Sequence, residues 1–202
     1  MMRSTLVALL CVAIAAPVSA QARSTTHGFA LGLHLDGVDL DPEDEESGTG
    51  GGLGLDLVYG FRSGLSIFLT LAGSVIEEGA GDETIEYDLG LADLGVRYAF
   101  GSEQARWRPF IEGALTGMIA TWENIDIGDP ERYDLDLTGG GVSVGGGVQY
   151  FFTPSFAFDG GVRLTFGSFT EVSVENVSIE LDESIQARVT RVQLGLRYHF
   201  AR

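Results

Sequence analysis

Between Gly139 and Phe169 the chain alternates, residue by residue, between two sets of side chains that cannot share one environment. Before a turn at Thr153-Pro154-Ser155, Val142, Val144, Val148, Tyr150 and Phe152 form a large apolar set, and Phe156, Phe158, Val162, Leu164 and Phe166 continue it afterwards. The positions between them hold Ser143, Gly145, Gly147, Gln149, Asp159, Gly161, Arg163 and Thr165. A period of two residues is that of a β-strand with unlike faces. Here the polar face is small and sparsely charged, while the apolar face is bulky and ends in aromatics at the turn. Strands of this kind have lipid on the bulky side and a narrow interior on the other.

The same alternation recurs along the chain. Phe29, Leu31, Leu33 and Leu35 oppose Ala30, Gly32, His34 and Asp36; Leu55, Leu57, Tyr59 and Phe61 oppose Gly54, Asp56 and Gly60. Leu65, Ile67, Leu69 and Leu71 oppose Ser66, Phe68, Thr70 and Ala72. Over residues 107–121, Ile111, Leu115 and Ile119 oppose Glu112, Ala114 and Thr116, and near the end Val192, Leu194, Leu196, Tyr198 and Phe200 oppose Arg191, Gln193, Arg197 and His199. Between residues 85 and 100 the apolar residues change phase, from Ile85, Tyr87, Leu89 and Leu91 to Leu94, Val96, Tyr98 and Phe100. That slip predicts a β-bulge near Ala92-Asp93. The count comes to about eight strands, the even number of an all-β, antiparallel, up-and-down transmembrane β-barrel.

The first 20 residues read as a cleaved signal peptide, with Arg3, an apolar run from Leu6 to Ala16, and a small-residue cleavage site at Val18-Ser19-Ala20. Residues 21–202 are then one barrel domain. Cys11 is the only cysteine and lies in the signal, so no disulfide or thiolate chemistry is expected of the exported chain. The formal net charge of −17 argues against nucleic acid as a partner. Connections alternate between short (residues 62–64, 101–106 and 153–155) and long (39–51, 77–83, 123–136 and 171–184), and the long ones are acidic. Short turns on one side and long loops on the other are the habit of outer-membrane barrels.

If the first strand rises from the short-turn side, Phe29, Tyr59, Phe61, Tyr98, Phe100, Trp107, Tyr150, Phe152, Phe156, Phe158, Tyr198 and Phe200 fall at one height, as an aromatic girdle at a membrane interface. Tyr87, Trp122, Phe166 and Phe169 are expected to form a sparser belt near the loops.

The inward positions hold His34, Asp36, Asp56, Asp93, Arg97, Glu112, Gln149, Asp159, Arg163, Arg191, Gln193 and Arg197. Pairing about Pro154 sets Gln149 opposite Asp159 and Gly145 opposite Arg163. Charges of both signs in a lumen just filled by side chains are expected to pair, as a salt-bridged plug without a wide pore. Catalysis is not expected, because His27, His34 and His199 are the only histidines and none stands in a His-x-Ser arrangement. No cofactor or metal is expected either: the acidic run from Asp39 to Glu46 lacks the D-x-[DN]-x-[DN]-G frame of a calcium loop. Two other readings stay open. One is a secreted soluble barrel that binds an apolar ligand as a lipocalin does; the other is a narrow channel.

Leu94-Gly95-Val96-Arg97-Tyr98, Arg108-Pro109-Phe110, the run Gly145-Gly146-Gly147-Val148-Gln149-Tyr150 through Pro154, and the closing Leu196-x-Tyr198-x-Phe200 resemble the small OmpA/OmpX-like outer-membrane β-barrel proteins, the outer membrane protein β-barrel domain family. The resemblance implies a monomeric barrel in the outer membrane of a Gram-negative-type bacterium, with membrane lipid and lipopolysaccharide around it. It also implies that the closing strand is read by the barrel-assembly machinery, although here Ala201-Arg202 follow the terminal Phe200. The role implied is structural, adhesive or one of surface interaction through the acidic outer loops.

Overall fold

A computed structural model describes residues 26–42, 47–80, 83–102, 105–125, 133–174 and 177–200. The expected signal segment and the Glu43–Glu46 part of the acidic run lie outside the described residues. Eight strands follow one another: β1 (Gly28–Pro42), β2 (Gly48–Gly60), β3 (Leu65–Ala80), β4 (Glu83–Ala99), β5 (Trp107–Ile125), β6 (Tyr133–Phe151), β7 (Phe156–Val174) and β8 (Val177–His199). Each pairs antiparallel with the next, and β1 pairs antiparallel with β8, which closes the barrel. Closure removes the unpaired backbone edges that hydrocarbon cannot satisfy.

Period-two patterning sets the two faces. Along β1, burial alternates without a break from Gly28 to Leu40. The large apolar residues point out: Leu94 is 63% exposed and Leu115 is 67% exposed. The soluble, lipocalin-like alternative needs these side chains inside, and their outward direction overturns it. All twelve girdle aromatics lie at the short-turn end, and several touch ring to ring, as in Phe29–Tyr59, Trp107–Tyr150 and Phe156–Tyr198 at centroid distances of 4.9, 4.5 and 4.8 Å. At the short turn between β2 and β3, Gly64 has φ of 81°, and an added Cβ would meet the Ala99 carbonyl oxygen at 2.7 Å. Only glycine suits that corner.

Three expectations need correction. No bulge occurs at Ala92-Asp93: Leu71 pairs with Ala92 and Thr70 with Asp93 on one side, while Ala92 pairs with Gly117 and Asp93 with Thr116 on the other. β4 keeps a single phase, so Tyr87, Leu89 and Leu91 point inward on the same face as Asp93 and Arg97. They join Val38, Leu40, Ile76, Met118, Phe169 and Val189 in an apolar cluster that fills the loop-side half of the interior. For the same reason there is no second outer belt. Tyr87 and Phe169 are inside, Trp122 stacks on Tyr87 at 4.6 Å, and only Phe166 of the four faces outward. Bulges do occur elsewhere, at Thr170 of β7 and between Trp122 and Ile125 of β5.

The third correction concerns the long connections, whose described residues are mostly strand. Val38 pairs with Gly50, Glu77 with Glu86 and Glu171 with Glu180. Polar residues continue the ladder into water, where alternation of hydropathy no longer marks a strand. The wall is also taller on one side. β5–β8 pair up to Ile125–Tyr133, Leu135–Val174 and Val174–Val177, whereas β1 leaves β8 at Pro42–Ala187 and β4 leaves β5 at Asp88–Thr121.

Candidate functional site

The interior of the short-turn half holds the charged residues. From β4, Asp93 and Arg97 point across the lumen because they share its inward phase; β5 supplies Glu112, β7 Asp159 and Arg163, and β8 Arg191 and Arg197. Their contacts form one line of alternating sign. Arg191 donates to Asp93 through Nη1 and Nη2 at 2.8 and 2.9 Å, and Arg163 Nη1 donates to the same carboxylate at 2.6 Å. Arg163 then donates through Nε and Nη2 to Glu112 Oε1 at 2.8 and 2.7 Å. Arg97 takes the other oxygen of Glu112 at 2.7 Å and reaches Asp159 at 3.1 Å. Arg197 links Asp159 at 2.8 Å to Asp56 at 3.0 Å.

His34 ends the line. Its ring lies 3.5 Å from Asp56 and 3.3 Å from Asp36, with the Gln193 amide at 3.2 Å. These neighbours are two carboxylates and an amide. Gly54 makes the space for the ring, since a Cβ there would collide with His34 Nε2. Gln149 faces Asp159 across the β6–β7 ladder and donates to it at 2.8 Å. The structure therefore brings all twelve inward residues named from the sequence into one connected set.

Sequence reasoning passed over the hydroxyls and rings that complete the set. Thr70 donates to Asp56 and Thr116 to Asp93, both at 2.6 Å, and Thr116, Ser143 and Thr165 form a hydroxyl row across β5, β6 and β7. Phe110 lies 3.9 Å beneath the Arg97 guanidinium, and Phe68 lies under Arg163 at 5.0 Å. His199 is buried beside Gln149 at 3.3 Å. The signal for these was their inward phase, which Ser66, Phe68 and Thr70 share with Asp56.

Asp93, Glu112, Asp159 and Asp56 each touch at least one arginine, and Asp93 and Asp56 accept from a threonine hydroxyl as well, whereas the Asp36 carboxylate beside His34 and the Nε atoms of Arg191 and Arg197 have no hydrogen-bond partner among the described residues. A cavity of about 20 Å³ remains beside Asp56, Arg97, Asp159 and Arg197, room for about one water molecule. Above it the apolar cluster of Ile76, Leu89, Met118 and Val189 closes the interior. Such a lumen can hold the strands in register. Among the described residues no group of acids, histidines and cysteines has metal-binding geometry.

The architecture is shared with solved outer-membrane barrels. Neisserial surface protein A matches with a TM-score of 0.61 at 19% identity, over 86% of this chain and 97% of that one. A major outer membrane protein of Thermus thermophilus matches with a TM-score of 0.60 at 12% identity, over 86% of this chain and 100% of that one. Ail, the attachment invasion locus protein of Yersinia pestis, matches with a TM-score of 0.55 at 13% identity, over 86% of this chain and 99% of that one. Identities this low speak for the fold alone. No curated protein matches the chain in sequence. The model of the outer membrane protein β-barrel domain family matches residues 8–200. The chain belongs to that family and is a β-barrel protein of the bacterial outer membrane.

Proposed function

We propose that this barrel is a surface-interaction protein whose contact element is the raised β5–β8 sheet, and that the charged lumen is a structural plug. The observation that carries the reading is the free side of β8. Above Ala187, the last residue paired to β1, β8 continues from Gln186 back to Val177 with no described residue paired to it on that side; residues 181–184 bulge out of the β7 ladder too, and pairing resumes over Val177–Glu180. A sheet edge of this kind presents unpaired backbone donors and acceptors, which an extended segment of another chain satisfies by adding as a strand. Ile179, 60% exposed, supplies an apolar contact there.

Charge narrows the class of partner. Glu171 and Glu180 stand directly opposite each other on the raised β7–β8 hairpin, and like charges in that relation are destabilising. A cationic segment relieves the repulsion, and the chain's net charge of −17 favours the same partners.

The test is capture of immobilised extended peptides by the purified barrel in nanodiscs. Basic alternating peptides should retain the wild type, and a variant with residues 178–184 removed and the hairpin rejoined should lose that retention. Equal retention by both proteins would refute the proposal. Any passage through the lumen would show separately, as steps in single-channel recordings, which this reading expects to be silent.

A further inference from the structure

We propose that the outer wall, where β6, β7, β8 and β1 meet, docks the phosphate of an outer-leaflet glycolipid, with Arg188 as its anion ligand. Arg188 is on the outward face of β8, opposite Phe166 of β7 on one side and Asp41 of β1 on the other. Ten residues separate it from the girdle residue Tyr198. At about 3.3 Å per residue and a strand tilt of about 40°, it stands about 25 Å above the girdle, the height of the apolar band of such barrels. The guanidinium thus lies at the level of the outer-leaflet headgroups.

Three features make the place a site. A groove of about 620 Å³ opens there, bounded below by Phe166 and above by Ser168 and Gln186, with a floor at Gly140 that no side chain fills. Phe166 is 48% exposed and offers an apolar wall to an acyl chain, while the hydroxyl and amide above suit a sugar headgroup. Charge then selects the occupant. Elsewhere the outward faces at this height end in Asp39, Glu77 and Asp88, and among the described residues Arg188 is the one outward cation on the loop side of the wall. An anionic headgroup repelled around most of the rim is attracted at this seam. Asp41 takes one nitrogen, Nη2, at 2.7 Å, and the guanidinium carries further donors for a phosphate.

Native mass spectrometry of the refolded barrel, titrated with diphosphoryl lipid A, tests the proposal, with a heat-shift gel to confirm that each variant is folded. The wild type should retain one lipid. Arg188→Gln should weaken retention about tenfold, as expected for loss of a charge-assisted contact. Asp41→Asn should strengthen it, which a merely structural ion pair would not do. Retention unchanged in both variants would overturn the proposal. So would displacement of the lipid by excess inorganic phosphate, which would make the groove a free-anion site.

Discussion

Arg163 and Arg191 stand directly opposite each other on β7 and β8, two guanidiniums in a ladder position where like charges repel. Asp93, projecting from β4 across the lumen, takes a hydrogen bond from each, at 2.6 and 2.8 Å. None of these three side chains is more than 1% exposed. The carboxylate therefore ties together strands that are not neighbours in the wall. Removing one partner of a buried charge set leaves the others uncompensated, which costs about 3–5 kcal/mol. Asp93→Ala should lower the unfolding free energy by about that much, measured by urea titration in lipid vesicles. A loss below about 1 kcal/mol would mean that water reaches and solvates the two arginines.

The outward face makes an opposite demand. Leu94 is four residues from the girdle residue Tyr98 and 63% exposed, which puts it near the middle of the apolar band. Leu94→Arg should destabilise the barrel in bilayers by about 2–4 kcal/mol, the cost of an arginine on the lipid face near the midplane. In a soluble barrel an exposed Leu→Arg change is nearly neutral. Comparing unfolding in bilayers for this variant and for a Thr49→Arg control near the rim checks the claim.

Gly54 leaves the space that the His34 ring occupies. Gly54→Val would drive a side chain into that ring and shift its contacts with Asp36 and Asp56. Overpacking of this kind costs about 1–3 kcal/mol. The expected result is a lowered urea midpoint with an intact heat shift on gels. An unchanged midpoint would show that His34 has another place to go.

How much of this was legible follows the physics of each region. Where lipid lies outside, as along Phe29 to Leu35 and Val192 to Phe200, unlike faces made strands and inward charges readable from phase alone. On β4 the rule misled, because Tyr87, Leu89 and Leu91 are large apolar residues buried inside, in the loop-side half where the lumen is itself apolar. Bulk then no longer marks the outward face. Above the membrane both faces are wet, so the raised ends of β7 and β8 looked like loop. Links such as Arg191 to Asp93 join residues far apart in the chain, and which charges meet depends on strand stagger rather than on local sequence. Thr116, Ser143 and Thr165 escaped notice because short hydroxyls are unremarkable until a carboxylate such as Asp93 is placed beside one of them.

The apolar cluster closing the loop-side half makes its own prediction. Ile76, which is fully buried there, should cost about 2–5 kcal/mol when cut to alanine. Thermal unfolding in detergent measures this. A much smaller loss would indicate that the upper lumen is loosely filled.

The raised sheet is expected outside the cell and the short turns in the periplasm, on either side of the apolar wall in the outer membrane. Single-cysteine labelling in intact cells measures that arrangement directly, because the only native cysteine, Cys11, lies in the expected signal segment. With a membrane-impermeant maleimide, Ser184→Cys on the exposed part of β8 should label at once, and Ser155→Cys in the β6–β7 turn only after the outer membrane is permeabilised. Immediate labelling of Ser155→Cys with protection of Ser184→Cys would contradict the orientation, and with it the surface role of the β8 edge.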